Sequence, residues 1–385
     1  MKKETGTSVW GTETADKGKK TYFFIVCIML GIGVFLWFVC GRKFTHRVEE
    51  RESISQESVN ARTDFSLQIP ASWDEEIDLY HRIDAVITVP ERITRDGFRS
   101  ASAETKRVNQ EGVLLSLEAY YHPQKGIEDE QVIQYTGEDH MYLYFYQTGD
   151  VSLTSTLRDY IFMAYHEELT EDYNRDQYPV NQALDNFTLQ DCDERLRDFC
   201  DSIGMEGEVD IVHRSLDYKT MEKEARELHP DGTRTRPDYP WTCADNSYYC
   251  TFSQTCNDIP IIPAFYLQAY GDVLNASGHT CLLNQERLIS FYLTEVYDIQ
   301  YAENYENLME FTDILEKYRQ YVRTADKNFE TVVTDITMRA MVLQQEDGSE
   351  QVTPIWIFYG YWKNSTDDVT GSHAVFINAV TGERL

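Results

Sequence analysis

Residues 331–362, TVVTDITMRAMVLQQEDGSEQVTPIWIFYGYW, set the fold class. Val332, Ile336, Met338, Ala340 and Val342 alternate with polar positions, the period of a strand with one buried face. Asp347-Gly348 then offers a turn, and Val352 to Trp362 returns as a second, almost wholly apolar strand. A third strand at Ala374 to Ala379 precedes a Thr381-Gly382 turn. In front of them Leu308, Phe311, Leu315, Tyr318 and Val322 recur at helical spacing, with Asn304 as a plausible cap. A helix followed by antiparallel strands is therefore the expected unit.

The same reading applies upstream. Asp84 to Pro90 (DAVITVP) alternates, Gly112 to Tyr121 is a strand candidate, and Met141 to Tyr146 meets Val151 to Thr156 across Gln147-Thr148-Gly149-Asp150. Thr188 reads as the cap of a helix carrying Cys192, Leu196, Phe199, Cys200 and Ile203 on one stripe, with Gly204 as its stop. Strands are expected at Glu208 to Tyr218, at Tyr248 to Gln254 and Ile259 to Tyr266 around Asn257-Asp258, and near Arg287 to Tyr292. Runs of strands broken by single helices imply an α+β fold of tandem antiparallel-sheet-plus-helix units.

At the other end, Tyr22 to Gly41 is an uncharged apolar run of the length that spans a bilayer core, about 20 residues. Lys2, Lys3, Lys17, Lys19 and Lys20 precede it, which orients the N-terminus inside. The expected organisation is a cytoplasmic head (1–21), a transmembrane anchor (22–41), a polar stalk (42–66) and two α+β domains (67–218 and 219–385), with a C-terminal unit at about 304–385. The chain is then a single-pass protein of the cell membrane with its folded part extracytoplasmic and the lipid bilayer as one partner. Cys40 ends the apolar run, where a lipid attachment is the alternative to an uncleaved anchor.

Nine of the 35 basic residues and five of the 65 acidic ones lie in residues 1–51, so the remainder carries a net charge near −34. Nucleic acid and anionic lipid headgroups would be repelled by that surface. No calcium-loop pattern accompanies the acidic residues.

Six cysteines fall beyond the apolar run. Cys192 and Cys200 share a helix stripe about 12 Å long, too far apart to bridge each other. Cys243, Cys250, Cys256 and Cys281 lie in turn and strand-like sequence, and at least one disulfide is expected among them. Zinc is not expected there, since neither a CxxC pair nor a histidine at ligand spacing is present. HExxH and GxSxG are absent, and His166-Glu167-Glu168 reads as surface charge. His213 could serve as a base to Cys250 or Cys256, but sequence distance alone places no thiol beside it. No catalytic residue, cofactor or metal is expected. Trp356, Phe358, Tyr359, Tyr361 and Trp362 form a strand buried on one face, whose exposed remainder is a possible partner surface.

The ending Phe376-Ile377-Asn378-Ala379-Val380-Thr381-Gly382-Glu383 resembles the terminal strand and turn of PepSY-type domains. Pro354-Ile355-Trp356-Ile357-Phe358 resembles the penultimate strand of YycI-like external proteins of Gram-positive bacteria. With DAVITVP and Phe252 to Pro260 (FSQTCNDIP), the layout is similar to an uncharacterised clostridial family of anchored or lipidated external proteins. The resemblance implies a module acting on a membrane or cell-wall protein, a sensor kinase or a protease among them. A non-enzymatic binding or regulatory role is thus expected, with a cell-wall- or peptide-directed hydrolase as the alternative.

Overall fold

A computed structural model describes residues 66–165, 174–226, 239–268, 277–325, 329–363 and 369–385. In chain order its strands are β1 (Ser72–Asp78), β2 (His81–Thr88), β3 (Arg99–Lys106), β4 (Gln124–Glu128), β5 (Val132–Gly137), β6 (Met141–Tyr146), β7 (Val151–Thr154) and β8 (Val209–Leu216). They continue as β9 (Ser247–Cys256), β10 (Ile259–Pro260), β11 (His279–Asn284), β12 (Leu288–Leu293), β13 (Val296–Tyr305), β14 (Glu330–Gln344), β15 (Glu350–Lys363) and β16 (Val369–Asn378). The helices are α1 (Glu91–Asp96), α2 (Gln110–Tyr121), α3 (Thr156–Ala164), α4 (Leu189–Ser202), α5 (Tyr218–Glu224) and α6 (Phe311–Thr324).

Two sheets organise these strands. The first runs β1-β2-β14-β15-β3-β13, with β16 also on β15; the second runs β10-β9-β11-β12-β7-β6-β5-β4, with β8 on β9. The expected tandem units are corrected here, because the first sheet joins strands from both ends of the chain, and β2 and β14 pair in parallel. That pairing needs a long crossover, and the whole second sheet is inserted into it. The result is a sheet-rich fold in which helices serve as covers.

The expected anchor, Tyr22 to Gly41, lies outside the described residues, as does almost all of the stalk. Among the described residues no helix is long and apolar enough to cross a membrane, and none of the described elements supplies the transmembrane helix expected in the fold class.

Side-chain period explains which face each sheet buries. In the first sheet, α6 lays Phe311, Ile314, Leu315, Tyr318 and Val322 against Trp356 and Phe358 of β15 and the facing residues of β2, β14 and β16. Tyr318 stacks on Phe358 with ring centroids 4.3 Å apart. The opposite face of β15, through Ile355 and Ile357, is covered by Ile262 and Tyr266. A strand buried on both faces reads as a continuous apolar run, as Pro354 to Phe358 does. In the second sheet, α2 and α4 cover one face, burying Leu117, Leu196 and Phe199 on Leu143, Leu153 and Phe291. At one end of the other face, α3 and α5 bury Ile161 and Met221 on Leu282 and Ile289.

Gly112 to Tyr121 is a helix, not a strand. Asn109 caps it by accepting from the Gly112 N–H, and Val113, Leu117 and Tyr121 at four-residue spacing are the buried positions. Gly112 is required there, since a Cβ would stand 1.7 Å from the Ser202 carbonyl oxygen at the end of α4. The Asn257-Asp258 turn does join β9 to β10, with both residues at positive φ.

Candidate functional site

The sequence singled out Trp356, Phe358, Tyr359, Tyr361 and Trp362 as a possible partner surface, and burial takes Trp356 and Phe358 out of it. Trp356 and Phe358 are 0% exposed in the core under α6, and Tyr359, Tyr361 and Trp362 are half-buried. The open aromatic face belongs to the second sheet instead. Tyr142, Tyr144 and Tyr146 alternate along β6 on the side away from α2 and α4, their rings stacked at centroid spacings of 6.4 and 6.0 Å. Strand register extends this surface in a row, from Gln134 through Tyr144, Ser152 and Tyr292 to Thr280 and Thr251. None of these side chains is charged, on a chain whose net charge is −30. Tyr142, Tyr146 and Tyr292 are each about two-fifths exposed.

The expected disulfides among Cys243, Cys250, Cys256 and Cys281 are absent, all four being free thiols. The reasons are geometric. Cys243 is exposed, Cys256 belongs to the core under α6, and Cys250 lies in the core under α4. Cys281 sits opposite Cys250 in the β9–β11 ladder, but the Cys250 sulfur meets Cys192 Sγ at 3.6 Å, a thiol contact well beyond the ~2.05 Å of a bond.

Cys192 and Cys200 share the buried stripe of α4, as their spacing requires. Thr188 forms a capping box with Asp191 and fixes where that helix begins. Cys192 thereby falls in the first turns of α4, and it comes to rest over β8 and β9. His213 of β8 pairs directly with Cys250 of β9, so both side chains point under the helix. The ligand atoms of Cys192, His213 and Cys250 all lie within 4.8 Å of one another. His213 is thus beside Cys250, whereas Cys256 is remote from it.

Around this cluster Asn181 Oδ1 faces His213 Nδ1 at 3.3 Å and accepts from the His213 backbone N–H. Asp193 Oδ1 stands 2.8 Å from His213 Nε2, and the Tyr248 ring meets the imidazole edge-on. The Cys250 contact holds the Cys192 thiol down to about 7 against the opposing effect of burial, and His213 adds to it. Burial opposes charge on His213, but the Cys192 sulfur and the Asp193 carboxylate outweigh it and raise the imidazole. Burial drives Cys250 well above the ordinary thiol range and Cys200 up to about 12. Of the thiols under α4, Cys192 is the one that ionises readily.

The two sulfurs and the imidazole are closed off from solvent. Cys192 and Cys250 are 0% exposed and His213 5%. Among the described residues, one surface depression of about 180 Å³ is lined by Pro179, Asp185, Ser215 and Lys219, and another of about 270 Å³ by Arg107, Glu128, Phe145 and Tyr146. Neither reaches the sulfurs. Asp193, Asn181 and the tyrosine face escaped the sequence reading, and only the alternation of Tyr142, Tyr144 and Tyr146 gave a usable signal.

No family model matches this chain, and no curated protein matches it. The resemblance to PepSY-type and YycI-like proteins therefore gains no support from either comparison. Among solved structures the chain is similar to an uncharacterized protein from Eubacterium rectale ATCC 33656. That likeness has a TM-score of 0.55 at 12% identity, over 82% of this chain and 93% of the other, and it shows a shared fold alone.

Proposed function

We propose that this chain is a non-enzymatic binding module that presents the tyrosine face of its second sheet to a protein partner. One observation carries the reading: stacked, half-exposed tyrosines form an uncharged row on an otherwise strongly acidic molecule. Tyrosine is enriched at protein contacts because it combines a large rigid apolar body with a hydrogen-bonding tip. Such a row also spares the partner the cost of desolvating opposed charges. The surrounding acidity favours a partner whose own contact patch is neutral or basic. The burial of Cys192 and His213 away from both depressions supports the non-enzymatic reading over a hydrolase.

The test is site-specific photo-crosslinking in cells that express the protein naturally. A benzophenone side chain replaces Tyr144 in one strain and Leu115, exposed on α2 of the opposite face, in another. A partner joined from position 144 and not from 115 is the expected result. Equal labelling from both positions, or none from 144, would reject the tyrosine face as the contact.

A further inference from the structure

The cluster of Cys192, His213 and Cys250 has the arrangement of a metal site assembled from three separate elements. Two sulfurs bound to one tetrahedral zinc at ~2.3 Å stand about 3.8 Å apart. Here they stand 3.6 Å apart before any ligand is considered. Nδ1 of His213 is oriented by Asn181 Oδ1, whose identity as the oxygen is set by the His213 backbone N–H that it also accepts. With its proton on Nδ1, the ring carries its lone pair on Nε2. An outer-sphere oxygen on the far ring nitrogen is the usual support of a ligating histidine.

A second observation points the same way. His213 Nε2 and Asp193 Oδ1 are buried, 2.8 Å apart, and neither has a hydrogen-bond partner. Two electron-rich atoms at that distance need positive charge on or between them. A proton on Nε2 supplies it poorly, because the two groups are out of line for a hydrogen bond. A cation among Nε2 and the two sulfurs needs no such alignment.

We propose that Cys192, Cys250 and His213 bind one zinc-class divalent cation, with the Asp193 carboxylate closing its fourth position. Two thiolates and a neutral imidazole cancel the +2 charge, the one remaining negative charge falls on the partly exposed Asp193 carboxylate, and the two thiol protons leave to solvent. Asp193, the partly exposed member, marks the entry side. The bound ion would pin the start of α4 to β8 and β9. Cys200 and Cys281, under the same helix, are not part of this group.

Cobalt reports on this directly, since thiolate ligation gives charge-transfer absorption in the near ultraviolet. The full chain, reduced and stripped with a chelator, should take up one equivalent of cobalt with that absorption, and zinc should displace it. Cys192→Ser and Cys250→Ser should each remove most of the band and weaken zinc binding by roughly 100-fold, while Cys200→Ser leaves both unchanged. Asn181→Ala keeps every ligand and should weaken zinc by roughly 10-fold. Far-ultraviolet circular dichroism establishes that each variant is folded. If a cysteine variant does not fold, the zinc-induced rise in melting temperature, compared between the intact chain, Cys200→Ser and Asn181→Ala, decides the matter. No thiolate–cobalt band in the intact chain, or a band undiminished in a folded Cys192→Ser, would overturn the site, as would a zinc response identical in all three proteins.

Discussion

The two aromatic strands of this protein, β15 and β6, have opposite fates. In β15 Trp356 and Phe358 lie under α6 while Ile355 and Ile357 face a second cover, so both faces are dry. In β6 Met141, Leu143 and Phe145 are covered by α2 and α4, but Tyr142, Tyr144 and Tyr146 point to the side that α3 and α5 leave open. Aromatic content alone therefore does not mark a contact surface. What separates the strands is alternation: β15 is apolar at successive positions, whereas β6 interleaves tyrosines whose hydroxyls can meet water.

Substitution at the two strands should differ accordingly. Trp356→Ala removes a fully buried side chain and should cost about 3–5 kcal/mol in urea unfolding. Trp356→Phe should cost distinctly less, since the indole N–H has no hydrogen-bond partner to lose. A Trp356→Ala protein with unaltered stability would contradict the assignment of β15 to the core.

Acid should weaken both sheets, through one histidine in each. Burial, with His81 and Arg384 nearby, holds His373 of β16 down to about 4 from its ordinary 6.5. His279 of β11 is held at about 3 by burial, and its Nδ1 accepts from the Thr294 N–H, a bond that protonation destroys. Because both values fall below that of the unfolded chain, the stabilisation is complete above about pH 6.5 and is lost as the pH drops toward 4. At ~1.4 kcal/mol per unit, His373 alone accounts for about 2 kcal/mol of that loss by pH 5. Urea unfolding at pH 7.5 and pH 5 measures it, and His373→Gln should flatten the dependence. A stability that rises on acidification would refute the buried neutral state.

A smaller effect concerns how α6 is held over the first sheet. Arg319 donates to both carboxylate oxygens of Glu75 on β1, at 2.9 and 2.7 Å, and that hydrogen bonding holds Glu75 below the usual carboxylate range. Glu75→Gln should lower stability by about 1 kcal/mol, an effect discounted for its partial exposure. Equal melting temperatures for the two proteins would show the pair to be idle. Smallest of all, Tyr144→Ala should change stability by less than about 1 kcal/mol, the range of a cross-strand pair. A loss comparable to that of Trp356→Ala would mean that the tyrosine row is part of the core.

Much of this architecture was legible where periodicity is strong. The β6–β7 hairpin, the stripe of α4 and the three closing strands follow from alternation, a capping Thr188 and turn glycines. Helix α6 begins at Phe311, past the expected Asn304, because β13 runs on to Tyr305. Strands β1 and β4, with sequences SWDEEID and QKGIE, sit at sheet edges where charged residues hide the period. Helix α2 was mistaken for a strand because its apolar residues are dense and Gly112 weakens a helical reading. The parallel pairing of β2 with β14 has no local signature at all. The same holds for Cys192, His213 and Cys250, whose neighbourhood is made by a helix crossing two paired strands, so no ligand spacing exists to be read. The disulfide expectation failed for a related reason, since sequence proximity among four cysteines said nothing about which core each would enter.

The central claim, that the tyrosine face is where this module meets its partner, is tested most directly by affinity capture with the chain carrying Tyr142→Ser, Tyr144→Ser and Tyr146→Ser together. The folded triple variant, checked by its melting curve, should lose at least about 90% of the partner that the intact chain captures, as expected when the centre of a contact is removed. Full retention of the partner by a folded triple variant would contradict the account and direct attention to another surface.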